Sequence, residues 1–197
     1  ANGDAAEQSL LDAVAAARRD TLDTTTPVVM IHAQTVRDDQ LDRMKALGVI
    51  PSFFVAHTFY WGDWHRDQTL GSPRAERISP TKSALDRGIA FTLHNDSPIV
   101  PPDIIHTLWS AATRRTRSGQ VLGPEQRITV AQAIEGVTLN AARQYGEEDQ
   151  KGSLRAGKLA DFVILSQNPL TTDPERLLDL RILQTISHGQ TVYRARP

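Results

Sequence analysis

Three short apolar segments recur in the first hundred residues, and each ends in a polar side chain. They cover residues 28–32, 50–57 and 91–96. Their last residues are His32, His57 and Asp96. Their valine, isoleucine and phenylalanine content is typical of β-strands, although a short apolar run by itself is also compatible with a buried helix. Because helical patterns separate the segments, we predict a parallel sheet with its polar groups along one rim.

Apolar residues at helical spacing predict several helices between and after these segments. The first begins at Asp4, with Glu7 placed as in a capping box, and the second ends where Gly48 suits a left-handed helix cap. Thr129 and Gln132 form another capping-box candidate. The predicted helices cover about residues 4–19, 38–47, 79–88, 101–112, 129–135 and 138–145. A polar linker is expected at 20–26.

Residues 57–78 are predicted to form a long irregular loop, rich in aromatic and titratable side chains. Loops of this length are uncommon in compact domains and are usually functional or disordered. The aromatic content favours a substrate lid that includes Trp61, Asp63, Trp64 and His65. The alternative is a surface loop packed by its own aromatic side chains.

A basic turn is predicted at residues 113–119, after the helix that starts near residue 101. Its arginines are Arg114, Arg115 and Arg117. An anion site is possible in principle, but clustered arginines in a turn more often form a solvated surface. We therefore expect these side chains to be exposed.

The pattern changes after Gly146, where short strands alternate with turns. These strands are predicted at about 161–165, 181–187 and 190–194, and they suit an antiparallel arrangement. The change indicates two structural units, with residues 1–150 in the first and residues 151–197 in the second.

Composition restricts the classes of function. The formal net charge of −1 lacks the basic footprint of a nucleic-acid-binding protein, so we expect no nucleic-acid partner. No apolar stretch reaches the roughly 18 to 20 residues that span a bilayer, so we expect no membrane partner and a soluble, cytoplasmic protein. Because the chain has no cysteine, a metal ion would need His, Asp, Glu or a modified lysine.

The three strand ends are separated by 25 and then 39 residues, spacings that suit successive units of a (β/α) barrel. In such barrels functional groups lie at the carboxyl ends of the strands. A histidine and an aspartate there can hold a zinc-type ion beside an activated water. His32 and Asp96 supply two ligands, whereas catalytic zinc normally has three from the protein. The alternatives for the third are His57, His65 and His94.

The carboxyl-terminal third carries a recognisable pattern. Residues 138–143 are followed at 151–165 by two glycines around apolar and basic positions and then by Ala-Asp before an apolar strand. This pattern resembles the carboxyl-terminal signature of the amidohydrolase superfamily. Together with residues 31–34, 95–98 and 123–127, it resembles the YtcJ-like branch (amidohydrolase 3) over essentially the whole chain.

The resemblance implies an α/β fold, namely the carboxyl-terminal part of a (β/α)8 TIM-type metallohydrolase barrel followed by short strands of a flanking β-sandwich. It implies metal-dependent hydrolysis of C–N bonds in non-peptide amides or cyclic amides, with a divalent metal, most simply zinc. His32 matches the metal ligand of the sixth barrel strand. Asp96 matches the eighth-strand aspartate, which binds metal and acts as general base. The residues expected to contact the small amide-like substrate are His57, Trp61, Asp63, His65 and His94.

In this family the remaining metal ligands lie upstream of the part that this sequence matches. We therefore expect an incomplete portion of a longer enzyme, with a missing amino-terminal barrel half as its partner. Exposed sheet edges also favour a homo-oligomer. The alternative function is a non-catalytic regulatory or binding protein on a degenerate amidohydrolase scaffold, or one half of a two-chain assembly.

Overall fold

The computed structural model describes residues 1–20 and 27–196, and it has a mixed α/β fold. Its centre is a parallel sheet in the order β1-β2-β3. The strands are β1 (Val28–His32), β2 (Val49–Phe53) and β3 (Thr92–Leu93). The register pairs His32 with Phe53, and Phe53 in turn with Leu93. The predicted parallel sheet is thus present, and its carboxyl ends lie side by side.

In the described part of the chain a helix lies at each of the six predicted positions, and two further helices lie within residues 57–75. They are α1 (Asp4–Arg19), α2 (Asp38–Leu47), α3 (His57–Trp64), α4 (Ser72–Ala75), α5 (Thr81–Asp86), α6 (Ile104–Thr113), α7 (Val130–Val137) and α8 (Leu139–Gln144). Gly48 ends α2 in the left-handed conformation, with φ of 62°, and Thr129 and Gln132 form the predicted capping box of α7. Apart from Asp20, the predicted linker lies outside the described residues. Among the helices that the structure describes, none is both long and apolar enough to cross a bilayer.

The main hydrophobic core lies between the parallel sheet and these helices. It includes fully buried side chains from α1, β1, α2 and β2, for example Leu11, Met30, Met44 and Phe53. Burial of one such side chain stabilises the fold by about 1.5–3 kcal/mol. The core therefore fixes the positions of the strands whose ends carry the polar groups.

The prediction of an irregular loop at 57–78 was wrong. This segment forms α3, a π-helical turn at His65–Thr69, and α4. Its helical period is hidden because α3 packs on more than one side. Phe59 contacts Trp109 of α6, with ring centroids 5.5 Å apart, while Trp61 faces Phe54 at 6.1 Å.

Two predicted strands are shorter than expected. The apolar segment at 50–57 is a strand only to Phe53, because His57 and Thr58 donate backbone hydrogen bonds to Phe54 and Val55 and so begin α3. The apolar segment at 91–96 pairs only through Thr92 and Leu93. Helical turns therefore follow β2 almost at once, whereas α6 begins only at Ile104, well beyond β3.

The prediction that Arg114 is exposed in a solvated turn was wrong, because its side chain is fully buried. Its guanidinium donates hydrogen bonds to four backbone carbonyl oxygens, those of Leu122, Ser79, Ile78 and Glu76, at 2.6–3.3 Å. Burial lowers its pKa to about 10. The expected exposure is found for Arg117, whereas Arg115 is half-buried.

The predicted antiparallel strands are present as β4 (Phe162–Leu165), β5 (Ile182–Ser187) and β6 (Gln190–Arg194), in the order β4-β5-β6. Asp161 accepts a hydrogen bond from the backbone N–H of His188 at 2.7 Å, which ties the start of β4 to the β5–β6 turn. Many apolar side chains of this sheet are exposed, Val163, Val192 and Tyr193 among them.

Gly123 provides a test of the close packing around Arg114. A Cβ atom there would lie 1.8 Å from the Glu76 carbonyl oxygen, and its φ is +62°. We expect Gly123→Ala to lower the free energy of unfolding by about 3 kcal/mol or more, because steric overlap adds to the cost of a left-handed backbone. The matched control is Gly119→Ala, where φ is +82° but an added Cβ would meet no atom of the described residues within 4 Å beyond its chain neighbours. It should cost only about 1–2 kcal/mol in urea denaturation, and equal losses would contradict the packing argument.

The prediction that Glu7 completes a capping box was wrong. Its side chain is buried beside the loop after β1. It accepts a hydrogen bond from the Thr35 N–H at 3.3 Å, and burial raises its pKa from 4.5 to about 7. The stability that neutral Glu7 contributes is present below pH 4.5 and is lost as the pH rises through about 7. We expect Glu7→Gln to gain stability relative to the unsubstituted protein over this range, as measured by urea denaturation. A pH-independent difference would contradict the assignment.

Candidate metal centre

His32 and Asp96 meet at the carboxyl rim of the parallel sheet. His32 is the last residue of β1, and Asp96 lies three residues beyond the end of β3. His32 Nε2 lies 3.6 Å from Asp96 Oδ2, and both side chains are partly exposed. Burial lowers the pKa of His32, against the opposing effect of Asp96, and so favours the neutral imidazole that a metal ion requires.

The backbone is strained at both residues. The φ angles of His32, Ala33 and Asp96 are 73°, 42° and 57°, a region that residues other than glycine seldom adopt. Such conformations cost about 1–3 kcal/mol each and are concentrated at functional sites. Here they turn the imidazole and the carboxylate toward each other at the rim.

His94 joins these two residues. One ligand atom from each of His32, His94 and Asp96 can be chosen so that all three lie within 4.8 Å of one another. His94 Nδ1 lies 2.9 Å from Ser52 Oγ, and the ring stacks on Phe54 with centroids 5.5 Å apart. Burial lowers the pKa of His94 to about 4, which keeps the ring neutral.

His57 lies beside this group. It begins α3, and its ring centroid is 5.5 Å from that of His32 and 4.4 Å from that of Phe54. Burial lowers its pKa to about 3, so its ring is neutral near pH 7. The histidine lies close to the rim without contributing to the group of three ligand atoms.

The other predicted substrate residues lie along α3 and the turn after it. Trp61 packs edge-on against His57 at 5.6 Å. One nitrogen of His65 contacts the Gln34 amide at 2.9 Å, and the other lies 3.2 Å from Thr69 Oγ1. The Asp63 carboxylate instead accepts hydrogen bonds from Ser118 and pairs with Arg66, on the side of α3 that faces the 113–119 turn.

The side chains at this rim fit a divalent metal ion. Two imidazoles and a carboxylate form a donor set that zinc accepts, with room for a further ligand. Buried ring nitrogens of His32 (Nδ1) and His94 (Nε2) have no hydrogen-bond partner among the described residues. Unpartnered buried polar atoms are rare in folded proteins, and a bound ion would satisfy such a nitrogen.

Sequence reasoning missed two neighbours of these histidines, Ser52 and Phe54. Phe54 contacts all three rings, those of His32, His57 and His94. The two residues are spaced i, i+2 at the end of β2, and alternation along a strand could have predicted a shared face. Their contacts with His94 depend on the pairing of β2 with β3.

A groove of about 770 Å³ lies elsewhere, between α7–α8 and the antiparallel sheet. Its lining is mostly apolar, and its charged groups already have partners. Lys151 pairs with Glu147 at 2.7 Å, and Asp161 accepts the His188 N–H. The histidine-rich rim is therefore the better candidate for a functional site than this groove.

Comparisons with known proteins find relatives that match most of this chain. N-substituted formamide deformylase of Arthrobacter pascens is 28% identical over 191 residues, which are 97% of this chain and 35% of that protein. Putative amidohydrolase YtcJ of Bacillus subtilis (strain 168) is 29% identical over 170 residues, which are 83% of this chain and 31% of that protein. The chain thus spans about a third of the length of these relatives.

The fold is also similar to a solved structure, an uncharacterized metal-dependent hydrolase from Pyrococcus furiosus. The similarity has a TM-score of 0.71 with 30% sequence identity, and it covers 87% of this chain and 33% of that one. A family model described as the Amidohydrolase family matches residues 1–193. On this match over nearly its whole length, the chain belongs to the amidohydrolase family.

Proposed function

We propose that this chain forms part of a metal-dependent hydrolase that cleaves C–N bonds in non-peptide amides or cyclic amides. The observation that carries the proposal is the convergence of His32 and Asp96, 3.6 Å apart, on strained backbone at the end of a parallel sheet. Membership of the amidohydrolase family supports the same class of reaction.

His32 and Asp96 would hold a divalent ion, with zinc as the most suitable candidate for this donor set. When bound, such an ion lowers the pKa of water and polarises a carbonyl group. Asp96 Oδ2 faces His32, which leaves Oδ1 to accept a proton from the attacking water and to pass it to the departing nitrogen. Water would add to the carbonyl carbon, and the C–N bond would break as the departing nitrogen takes the proton. A linear amide would give a carboxylic acid and an amine, and a cyclic amide would give one ring-opened molecule that carries both groups.

His57 and Trp61 would form the wall against which the substrate lies. Both are contiguous with the rim, through the contacts of His57 with His32 and with Trp61. His65 adjoins the same wall at 6.1 Å from His57. The Asp63 carboxylate is engaged by Ser118 and Arg66, so its part in substrate binding would be indirect.

Residues 1–150 would belong to the last units of a catalytic (β/α)8 barrel, and residues 151–197 to the flanking sandwich. The parallel β1-β2-β3 order and the separate antiparallel sheet support this division. Because the relatives are about three times as long, we propose that polypeptide beyond these 197 residues supplies further parts of the site.

The proton-transfer role of Asp96 can be tested in the intact enzyme. We expect Asp96→Asn to lower kcat by about 10²–10⁴-fold, because the amide cannot accept the proton. The measurement is amine release from a panel of N-substituted and cyclic amides. Asp86→Asn, at an exposed carboxylate paired with Lys82, is the control and should retain activity. Normal turnover of Asp96→Asn would reject the assignment. Activity confined to esters would reject the C–N substrate class.

We expect this chain, when isolated, to associate with further copies of itself. The exposed apolar side chains of the antiparallel sheet support this proposal, as do its two open edge strands, β4 and β6. We expect the isolated 197-residue chain to self-associate in sedimentation velocity experiments at micromolar concentration. A single monomeric species that unfolds cooperatively would contradict this expectation.

A further inference from the structure

The orientation of His94 distinguishes it from the other ligand candidates. Of the two histidines in this group, only His94 has a ring nitrogen that is hydrogen-bonded to a side chain in the described part of the chain. Its Nδ1 lies 2.9 Å from Ser52 Oγ, and Ser52 is buried. The backbone N–H of His94 also donates to the Phe53 carbonyl at 3.1 Å. The residue is thus attached to β2 at two points.

The hydrogen bond at Nδ1 determines which nitrogen remains available. A neutral imidazole carries a proton on one nitrogen and a lone pair on the other, and a metal ion takes the lone pair. A serine hydroxyl can rotate to accept a hydrogen bond from Nδ1–H. His94 Nε2 would then carry the lone pair, and this buried atom has no hydrogen-bond partner among residues 1–20 and 27–196.

The ring plane is held independently of this hydrogen bond. Phe54, which is fully buried, stacks on His94 with an interplanar angle of 29°. Because Phe54 also touches His32 and His57, rotation of the His94 ring would disturb the packing of its neighbours. In this tautomer the Ser52 hydroxyl would select the nitrogen, while Phe54 packs against the ring plane.

We propose that Ser52 is a positioning residue that presents His94 Nε2 to a divalent metal ion shared with His32 and Asp96. The inference rests on the proposed metal-dependent function, and it assigns His94 to the metal rather than to the substrate. Partners that orient ligating histidines are a general requirement of metal sites, and their loss typically weakens metal affinity by about 10–100-fold.

The first test is a zinc titration of the intact protein by calorimetry. We expect Ser52→Ala to raise the Zn²⁺ dissociation constant by about 10–100-fold, and Ser52→Thr, which keeps a hydroxyl, to restore most of the affinity. The matched control is Ser110→Ala. It removes the hydroxyl 3.4 Å from Nδ1 of His106, a histidine outside the group of three, and should leave zinc affinity unchanged.

The second test does not depend on the folding of any variant. In the metal-free protein, ¹⁵N NMR of the histidine rings should show His94 protonated at Nδ1 and unprotonated at Nε2. The opposite tautomer would overturn the positioning role.

The outcomes separate this inference from the proposed function. If the unsubstituted protein binds zinc and His32→Gln abolishes binding, but Ser52→Ala binds as tightly as the unsubstituted protein, only the role of Ser52 is rejected. If the unsubstituted protein binds no zinc, both proposals are rejected, and the non-catalytic alternative is favoured.

Discussion

The lateral pairing of β1, β2 and β3 is the constraint on which the rest of the structure depends. Parallel strands place their carboxyl ends at the same edge, so the polar residues that follow them must meet there. The pairing of His32 with Phe53, and of Phe53 with Leu93, brings positions more than sixty residues apart in sequence into one group. A shift of one residue in either register would turn these side chains to the other face of the sheet.

Several features of the rim reduce the stability of the folded protein. Three non-glycine residues, His32, Ala33 and Asp96, adopt left-handed backbone conformations, and neutral imidazoles are packed around one phenylalanine ring. The strain and the unpartnered nitrogens cost free energy, which the adjacent apolar core offsets. Retention of such a group at a sheet rim is the usual pattern of a preorganised site, where side chains are held in advance in the geometry that a ligand requires.

The buried guanidinium of Arg114 connects the segments around it. Arg114 joins the end of α6 to the backbone of residues 76–79 and of Leu122, and its guanidinium donates to four carbonyl oxygens. Ser79 in turn donates its backbone N–H to the Gln34 carbonyl, in the loop that follows His32. This chain of backbone contacts connects α6 to the loop beside the metal-site candidates, so disruption at Arg114 would be felt at the rim.

The sequence by itself determined much of the secondary structure and the two ligand candidates at the strand ends. Hydrophobic periodicity and local end signals such as Gly48 or the Thr129 capping box were sufficient for α1, α2 and α7. The antiparallel strands followed from short runs between turns after Gly146. Motif resemblance singled out His32 and Asp96, whose roles remain predictions. Only the tertiary structure decided that α3 is helical, that Glu7 and Arg114 are buried, and that Ser52 and Phe54 hold His94. The physical reason is that these features depend on contacts between distant segments, which the local alternation of apolar and polar residues does not encode.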